Sequence, residues 1–262
     1  MYMYYEAQWS LYVFTVITMV IFFIGVYANI YLMWKGKAKS LTYKFSLDPM
    51  IKALFVNVLL QGKLLKQSLL RWFMHISIFW GFMGLLAHTT LLAYLAHFVT
   101  EDSALAHVFL DVNGKGRLFL DVWGDFWGTL LLVGCLIAIF RRYIFKAQQL
   151  DTILADTVAI FLLFSVAATG FFCEAVRFLP LPPSPDFNYS FLGYGLTKIL
   201  RLMPQSTIKY LKYTEQVRNH LAVGLFLIVY IPFSKMWHIF VSPIEVLLDE
   251  SEEHARRKAH ER

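Results

Sequence analysis

The sequence predicts an all-α membrane protein with five transmembrane helices, an N-terminus outside and a C-terminus in the cytoplasm. Composition is the first observation behind this fold class. Of the 262 residues, 58% are hydrophobic and 16% are charged, and the mean hydropathy is +0.55. Soluble domains carry about 25% charged residues. We therefore expect a multi-pass protein of the cytoplasmic (inner) membrane.

Five long apolar runs are the second observation. They lie at about 9–34, 72–99, 118–140, 152–179 and 219–243, and each can cross a hydrocarbon core about 30 Å thick. Trp9 and Trp34 stand at the ends of the first run, as is usual at membrane interfaces. We divide the chain into a transmembrane domain, 1–243, and a charged cytoplasmic tail, 244–262.

The distribution of basic residues sets the orientation. Lys35, Lys37 and Lys39 directly follow the first run, and the segments on that side of the membrane hold 15 Lys and Arg against eight on the other. Cytoplasmic loops carry the excess of basic residues. The net charge of +6 therefore reflects topology, and the expected partner is the lipid membrane and not a nucleic acid.

Two connecting segments carry helix signals of their own. Residues 41–70 are basic and half apolar, with a helix start at Asp48 and Pro49, which predicts a helix lying in the cytoplasmic interface. A plain connector packed on the spans is the alternative. The outer loop, 180–218, opens with LPPSP, which breaks a helix, and KYLKYTEQ near its end predicts a short amphipathic helix.

The last apolar run contains a histidine near each end. His220 and His238 are 18 residues apart, which is five turns of a continuous helix. Both imidazoles would then leave from one face, about 27 Å apart along the axis. Ionisable residues inside a span are costly to bury and are functional candidates for that reason.

The second span supplies partners for both histidines. It runs antiparallel to the last, so His75 would face His238 near the inner surface and His88 would face His220 further out. Two bis-imidazole sites at different depths predict a dihaem cytochrome b, because ligand sites in bundles are built between facing helices. Two imidazoles fill the axial positions of haem iron, which then carries electrons. A lone histidine in a span is usually a hydrogen-bonded packing residue, but four at complementary depths favour cofactor binding.

The outer ligand on the second span has two candidates. His88 lies 13 residues from His75, and His97 lies 22 residues from it, corresponding to about 20 Å and about 33 Å of helical rise. His97 projects from nearly the same side of the helix as His75, which favours His97 as the ligand. The depth of His88 in the membrane favours His88 instead. We predict His88 and keep His97 as the alternative.

Two stretches resemble a known family. VLLQGKLLKQSLLRWFMHISIFWGF and IPFSKMWHIFVSP are similar to the nitrate reductase gamma-subunit-like membrane cytochromes b. Their residues are more similar to the branch of that family that serves heterodisulfide reductase and dissimilatory sulfite reduction than to nitrate reductase itself. The resemblance covers residues 50–243. It implies two haem ligands on the second span and two on the last, which fall on His75, His88, His220 and His238.

The resemblance also implies a function. It describes the quinone-reactive subunit of a respiratory oxidoreductase complex, with two haems b as cofactors and menaquinol or menaquinone as substrate. Electrons would pass to a cytoplasmic iron–sulfur subunit docked on the tail and on 41–70. A periplasmic cytochrome c subunit is a second partner compatible with the resemblance. The alternatives are a proton-coupled transporter, which usually shows repeats and broken helices, and a haem-free membrane anchor subunit.

Overall fold

The computed structural model describes residues 9–36, 46–100, 102–110, 114–146 and 154–260. Within these ranges the chain is helical and contains no strand. The α-helices are α1 Trp9–Gly36, α2 Leu47–Ala53, α3 Gly62–Gln67, α4 Leu69–Phe98, α5 Ala104–Phe109, α6 Lys115–Ile139, α7 Leu154–Phe178, α8 Phe191–Leu200, α9 Gln205–Ile208, α10 Tyr213–Tyr230 and α11 His238–His260. π-Helical turns follow α2 and α6 at Leu54–Leu59 and Phe140–Ile144, and 3-10 turns occupy Pro185–Tyr189, Ile231–Phe233 and Lys235–Trp237.

Five helical segments of the described chain are long and apolar enough to cross a membrane. They are Tyr12–Lys35, Leu69–Phe98, Lys115–Ile144, Leu154–Phe178 and Tyr213–Phe233. This confirms the predicted all-α membrane fold. Between the spans, the segment predicted as an interfacial helix is two short helices, α2 and α3, and its residues 41–45 lie outside the described ranges. The outer loop contains α8, which the sequence did not indicate, and KYLKYTEQ runs from a turn into the start of α10.

Contacts between residues divide the described chain into two compact units. The first comprises the described residues from 74 to 146 and from 160 to 224. The second comprises those from 9 to 73, from 154 to 159 and from 225 to 260. The two units are described separately below.

The prediction of one continuous last helix was wrong. Helix α10 ends at Tyr230, Pro232 lies in a 3-10 turn, and Ser234 is extended with φ −130° and ψ 175°. The Ser234 hydroxyl then accepts a hydrogen bond from the backbone N–H of Met236 at 3.1 Å, and α11 begins at His238. The five-turn spacing of His220 and His238 therefore does not describe their geometry. The boundary expected at residue 243 falls inside α11, which includes the charged tail.

A side chain of α1 satisfies the backbone at this break. Proline lacks an N–H and interrupts the helical ladder, and an unpaired backbone group inside a membrane is costly. The Nδ2 atom of Asn29 donates to the Pro232 carbonyl at 2.7 Å and to the Gly25 carbonyl at 2.9 Å. Gly25 has no side chain, and a Cβ there would lie 2.7 Å from the Phe233 ring. Close approach of α1 therefore supports the broken segment.

The charged part of α11 packs on α2 and the π-helical turn after it. Glu250 accepts a hydrogen bond from Asn57 at 3.1 Å and pairs with Lys63 at 2.9 Å. The Glu250 carboxylate raises the pKa of Lys63, so this lysine stays charged at neutral pH. The backbone N–H of Ser46 donates to the buried Ser251 hydroxyl at 3.1 Å. The tail and the 46–67 segment, both expected as docking surfaces, thus form one packed layer in the second unit.

Glycines allow α4 and α6 to approach closely in the first unit. A Cβ on Gly81 would lie 2.6 Å from the backbone N of Leu131, and one on Gly134 would lie 2.9 Å from the backbone N of Ile78. Small residues at such contacts are typical of helices packed inside membranes, where backbones must come together.

We expect Gly81→Ala to destabilise the protein by about 1–3 kcal/mol, because the added methyl group overpacks against backbone atoms that cannot rotate away. Gly195→Ala is the matched control on α8, since nothing lies within 4 Å of its ideal Cβ. Alanine is favoured over glycine in a helix by roughly 0.5–1 kcal/mol, so the control should be neutral or slightly stabilising. Thermal unfolding of both variants in detergent measures the difference, and equal midpoints would contradict the packing assigned to Gly81.

Candidate functional site

The first unit contains a cavity of about 340 Å³. Helices α4, α6, α7 and α10 supply its walls, and His88 and His220 both line it. Its size lies in the range of ligand pockets, about 300–1,000 Å³. A larger groove of about 550 Å³ runs along one face of α1, but its wall is almost entirely apolar and open, as expected for a surface against lipid. The candidate site is therefore the histidine-lined cavity.

Hydrogen bonds position the His220 ring. The Thr169 hydroxyl donates to the Ser165 carbonyl at 2.7 Å, and its oxygen lies 3.0 Å from Nδ1 of His220. With its proton on that carbonyl, the hydroxyl accepts a hydrogen bond from Nδ1. In that tautomer, Nε2 of His220 carries the lone pair through which a histidine binds a metal.

Glycines lie directly against both imidazoles. A Cβ on Gly124 would lie 2.8 Å from Cε1 of His88, and one on Gly170 would lie 3.3 Å from Cε1 of His220. The Leu120 carbonyl accepts a hydrogen bond from the His88 ring. Each histidine ring therefore packs against a neighbouring helix at a residue without a side chain.

Charged side chains line the same cavity. Asp121 lies between two arginines, with its Oδ1 3.3 Å from Nε of Arg117 and 3.7 Å from an Nη of Arg177. Arg177 also pairs with Glu174 at 3.3 Å. These groups lie towards the start of α6 and the end of α7. An ion-paired cluster with two guanidinium groups can bind an anionic substituent of a ligand.

Asp125 is a residue that the sequence analysis missed. It lies within the apolar span α6, and only 1% of its surface is exposed. Its Oδ2 accepts a hydrogen bond from the backbone N–H of Leu192, in the first turn of α8, at 2.5 Å. An aspartate inside a span is itself a signal of function, and this signal was available in the run WGDFWG.

The other predicted histidines lie elsewhere. His75 is half-buried on α4 in the first unit, outside the cavity wall. His97 is exposed at the end of α4 and does not line the cavity either. His238 belongs to the second unit, where it is exposed and its Nδ1 lies 2.7 Å from the Lys235 carbonyl. That carbonyl can only accept, so Nδ1 of His238 donates to it. The pairing of His75 with His238 stays a prediction.

In the described part of the chain, no three or more His, Cys, Asp or Glu side chains are grouped so that they could hold a bare metal ion. Both cysteines are buried and unpaired, consistent with the packing role that their apolar surroundings indicate. The five spans and the histidine-lined cavity together define a multi-pass membrane protein with an internal cavity.

Comparison with known proteins identifies the family. The sequence profile of the E subunit of dihydromethanophenazine:CoB–CoM heterodisulfide reductase matches residues 51–246, and the chain belongs to this family. The corresponding protein of Methanosarcina acetivorans is 28% identical over 221 residues, which cover 84% of this chain and 74% of that protein. The protein of the same name from Methanosarcina thermophila is 30% identical over 209 residues, covering 78% and 68%.

A further relative is the EtfAB:quinone oxidoreductase of Syntrophomonas wolfei, 25% identical over 273 residues, which cover 97% of this chain and 35% of that protein. No solved structure gives a significant match. The heterodisulfide reductase branch of the resemblance is therefore confirmed, and the chain is a membrane subunit of the oxidoreductase type. These matches do not extend to the nitrate reductase gamma subunit in particular.

Proposed function

We propose that this protein is the membrane cytochrome b subunit of a respiratory oxidoreductase complex. It exchanges electrons between the menaquinone pool and a cytoplasmic iron–sulfur partner through two haems b. His88 and His220 hold the outer haem, and His75 and His238 hold the inner one. The observation that carries the proposal is the cavity that His88 and His220 share, together with the Thr169 hydroxyl that lies 3.0 Å from Nδ1 of His220 and positions its ring.

The cavity residues fit a haem. A bis-imidazole haem needs two neutral histidines that reach it from different helices, and α4 and α10 supply them. It also needs room beside the rings, and the cavity that both rings line has a volume of about 340 Å³. Its propionates need cations, and Arg117 and Arg177 line the same cavity.

A haem held by His88 and His220 would supply one-electron transfer. The protein supplies the rest. Thr169 and the Leu120 carbonyl orient the two imidazoles, which sets ligand strength. Leu120 on α6 and Ala167 and Phe171 on α7 give one part of the cavity an apolar wall, which lowers the local dielectric constant there.

The relatives support a lipid-soluble two-electron carrier as substrate. The names of the Methanosarcina proteins specify dihydromethanophenazine, and that of the Syntrophomonas protein specifies a quinone. We assign menaquinol to this chain. The partner is an iron–sulfur subunit. Its cluster lies in that subunit and not in this chain, because the chain has two cysteines in all and a cluster needs four ligands. The layer formed by α2, α3 and α11 is its docking site, and it lies on the cytoplasmic side by the excess of basic residues.

The first experiment is to purify the protein from its membrane, record reduced-minus-oxidised visible spectra and quantify haem as the pyridine haemochrome. We expect about two haems b per chain, since four histidines supply two axial pairs. Menaquinol should reduce them, and a water-soluble hydroquinone without an isoprenoid tail should do so more slowly. A folded preparation without haem would overturn the proposal and favour the transporter or the haem-free anchor.

A further inference from the structure

Helix α8 is apolar but too short to cross a membrane. Its ten residues rise by about 15 Å, which is half of a hydrocarbon core about 30 Å thick. An apolar helix of this length is a buried core element, a helix lying in the interface or a re-entrant segment. The contacts of α8 and its exposed face distinguish between these three.

The first turn of α8 lies beside the membrane-spanning parts of two other helices. The backbone N–H of Leu192 donates to Asp125 at 2.5 Å, and Asp125 lies ten residues, or about 15 Å, along α6 from its first residue. A Cβ on Gly193 would overlap the carboxyl group of Glu174, which lies four residues before the end of α7. The chain that leaves α7 therefore returns towards the membrane interior before α8 begins.

From this start, α8 runs back outwards along the end of α7. In the middle of α8, Oγ1 of Thr197 lies 3.1 Å from the Ala175 carbonyl oxygen. Just after the helix, Nη2 of Arg201 donates to the carbonyls of Phe178 at 3.0 Å and of Leu181 at 2.8 Å. Successive contacts along α8 thus follow α7 towards its C-terminus. The N-terminus of α8 points towards the membrane interior and its C-terminus reaches the level at which α7 ends.

One face of α8 is exposed and apolar. Phe191, Gly195 and Ile199 are spaced by four residues and share this face. Phe191 is 48% exposed and Ile199 is 59% exposed, and nothing lies within 4 Å of an ideal Cβ on Gly195. Leu202, in the turn that follows, is 84% exposed. Exposed apolar side chains grouped in this way mark a contact with lipid or with protein.

Basic side chains lie where α8 and the chain after it reach the surface. The segment 191–212 contains no acidic residue and four basic ones: Lys198, Arg201, Lys209 and Lys212. Nζ of Lys198 lies 4.6 Å from the centre of the Tyr194 ring, and Nζ of Lys209 lies 5.0 Å from that of Tyr210. Tyrosines are typical of the membrane interface, where lysines direct their ammonium groups to the headgroups. The charge of this segment fits the phosphates of anionic lipids.

We propose that α8 is a re-entrant half-helix in the leaflet in which α7 ends. Its exposed face contacts the acyl chains of phospholipids, and Lys198 and Lys209 contact the phosphates of anionic headgroups. Lipid fits this face better than a soluble subunit, because Phe191 precedes the residue that contacts Asp125 inside the span. The half-helix then separates Asp125 from lipid and gives it a backbone donor. This inference goes beyond the proposed function and does not depend on it.

The test measures membrane depth at both ends of α8, in the full-length protein in nanodiscs of phosphatidylcholine and phosphatidylglycerol. Phe191→Cys and Leu202→Cys each carry a nitroxide label, and both native cysteines are buried. Oxygen quenches labels in lipid, and a water-soluble nickel chelate quenches labels in water. Phe23→Cys, on the exposed face of α1, is the lipid reference, and Glu253→Cys, exposed on α11, is the aqueous one.

We expect oxygen to reach both α8 labels better than nickel does, with the label at 191 deeper than the label at 202. The difference in depth cannot exceed about 16 Å, the helical rise of 11 residues. Equal depths would place α8 parallel to the surface, and access to nickel at both positions would place it in water. A label that neither reagent reaches would put a protein partner on this face. Each of these three results would overturn the proposal.

The headgroup contact is tested by native mass spectrometry of the purified protein, which counts the phospholipids that it retains. The double variant Lys198→Gln/Lys209→Gln should retain less phosphatidylglycerol than the wild type. Lys258→Gln, which removes an exposed lysine from α11, is the control and should retain as much as the wild type. An unchanged count in the double variant, or an equal loss in the control, would overturn the contact with anionic headgroups.

Discussion

Replacing His88 by alanine is expected to remove one of the two haems b from each chain, whereas replacing His97 should leave both. His88 lines the cavity that His220 also lines, while His97 is exposed at the end of α4. Loss of an axial imidazole from a six-coordinate haem usually releases the haem or changes its spin state. The pyridine haemochrome ratio should fall from about two to about one per chain.

His97→Ala is the matched control, because it removes the same side chain from the same helix. The outcome that would contradict the assignment is the reverse pattern, in which haem is lost with His97 and kept with His88. That result would make His97 the outer ligand, as its direction around the helix suggests, and would leave the cavity without a haem ligand on α4. Circular dichroism of both variants checks that α4 remains folded.

Gly124→Ala is expected to abolish haem binding at the outer site almost as completely as the loss of His88. The new methyl group would lie 2.8 Å from the His88 ring, which is closer than carbon atoms can pack, so the ring must swing away. A metal ligand displaced by even 1 Å loses much of its function. Haem content and the visible spectrum of the purified variant measure the effect.

Gly224→Ala serves as the control for this prediction, since nothing lies within 4 Å of its ideal Cβ on α10. It should keep both haems and the wild-type spectrum. If Gly124→Ala also kept both, the His88 ring would have to lie elsewhere in the protein with haem bound. The proposed ligand geometry would then be wrong, although the cytochrome itself would remain.

The spans could be predicted from the sequence because the thickness of the hydrocarbon core fixes their length. The break at Ile231–Trp237 could not be placed in this way. Pro232 was visible as an interruption, but its effect depends on whether another group satisfies the freed carbonyl. That group is Asn29, about 200 positions earlier in the chain, and no local pattern indicates the contact.

The candidate site could also be predicted in part from the sequence. Depth along two antiparallel helices was enough to predict His88 and His220 on one site, and the structure places both on one cavity. The prediction that His220 and His238 share one helix face failed with the helix that carried them. Asp125 is not part of a histidine pair, so the argument from depth does not reach it. Its partner α8 follows a proline-rich opening that predicts a loop.

The extended residue Ser234 also bears on how the sequence can vary. In a continuous helix each inserted or deleted residue turns everything that follows by about 100°. Here the Lys235 carbonyl accepts a hydrogen bond from His238, and the Ser234 hydroxyl accepts one from the backbone N–H of Met236, so both bonds lie within 234–238. The interval between the two histidines therefore need not follow the helical repeat, and homologues with insertions or deletions there can keep both residues. Searches for distant relatives should match the two ends of this interval as separate motifs.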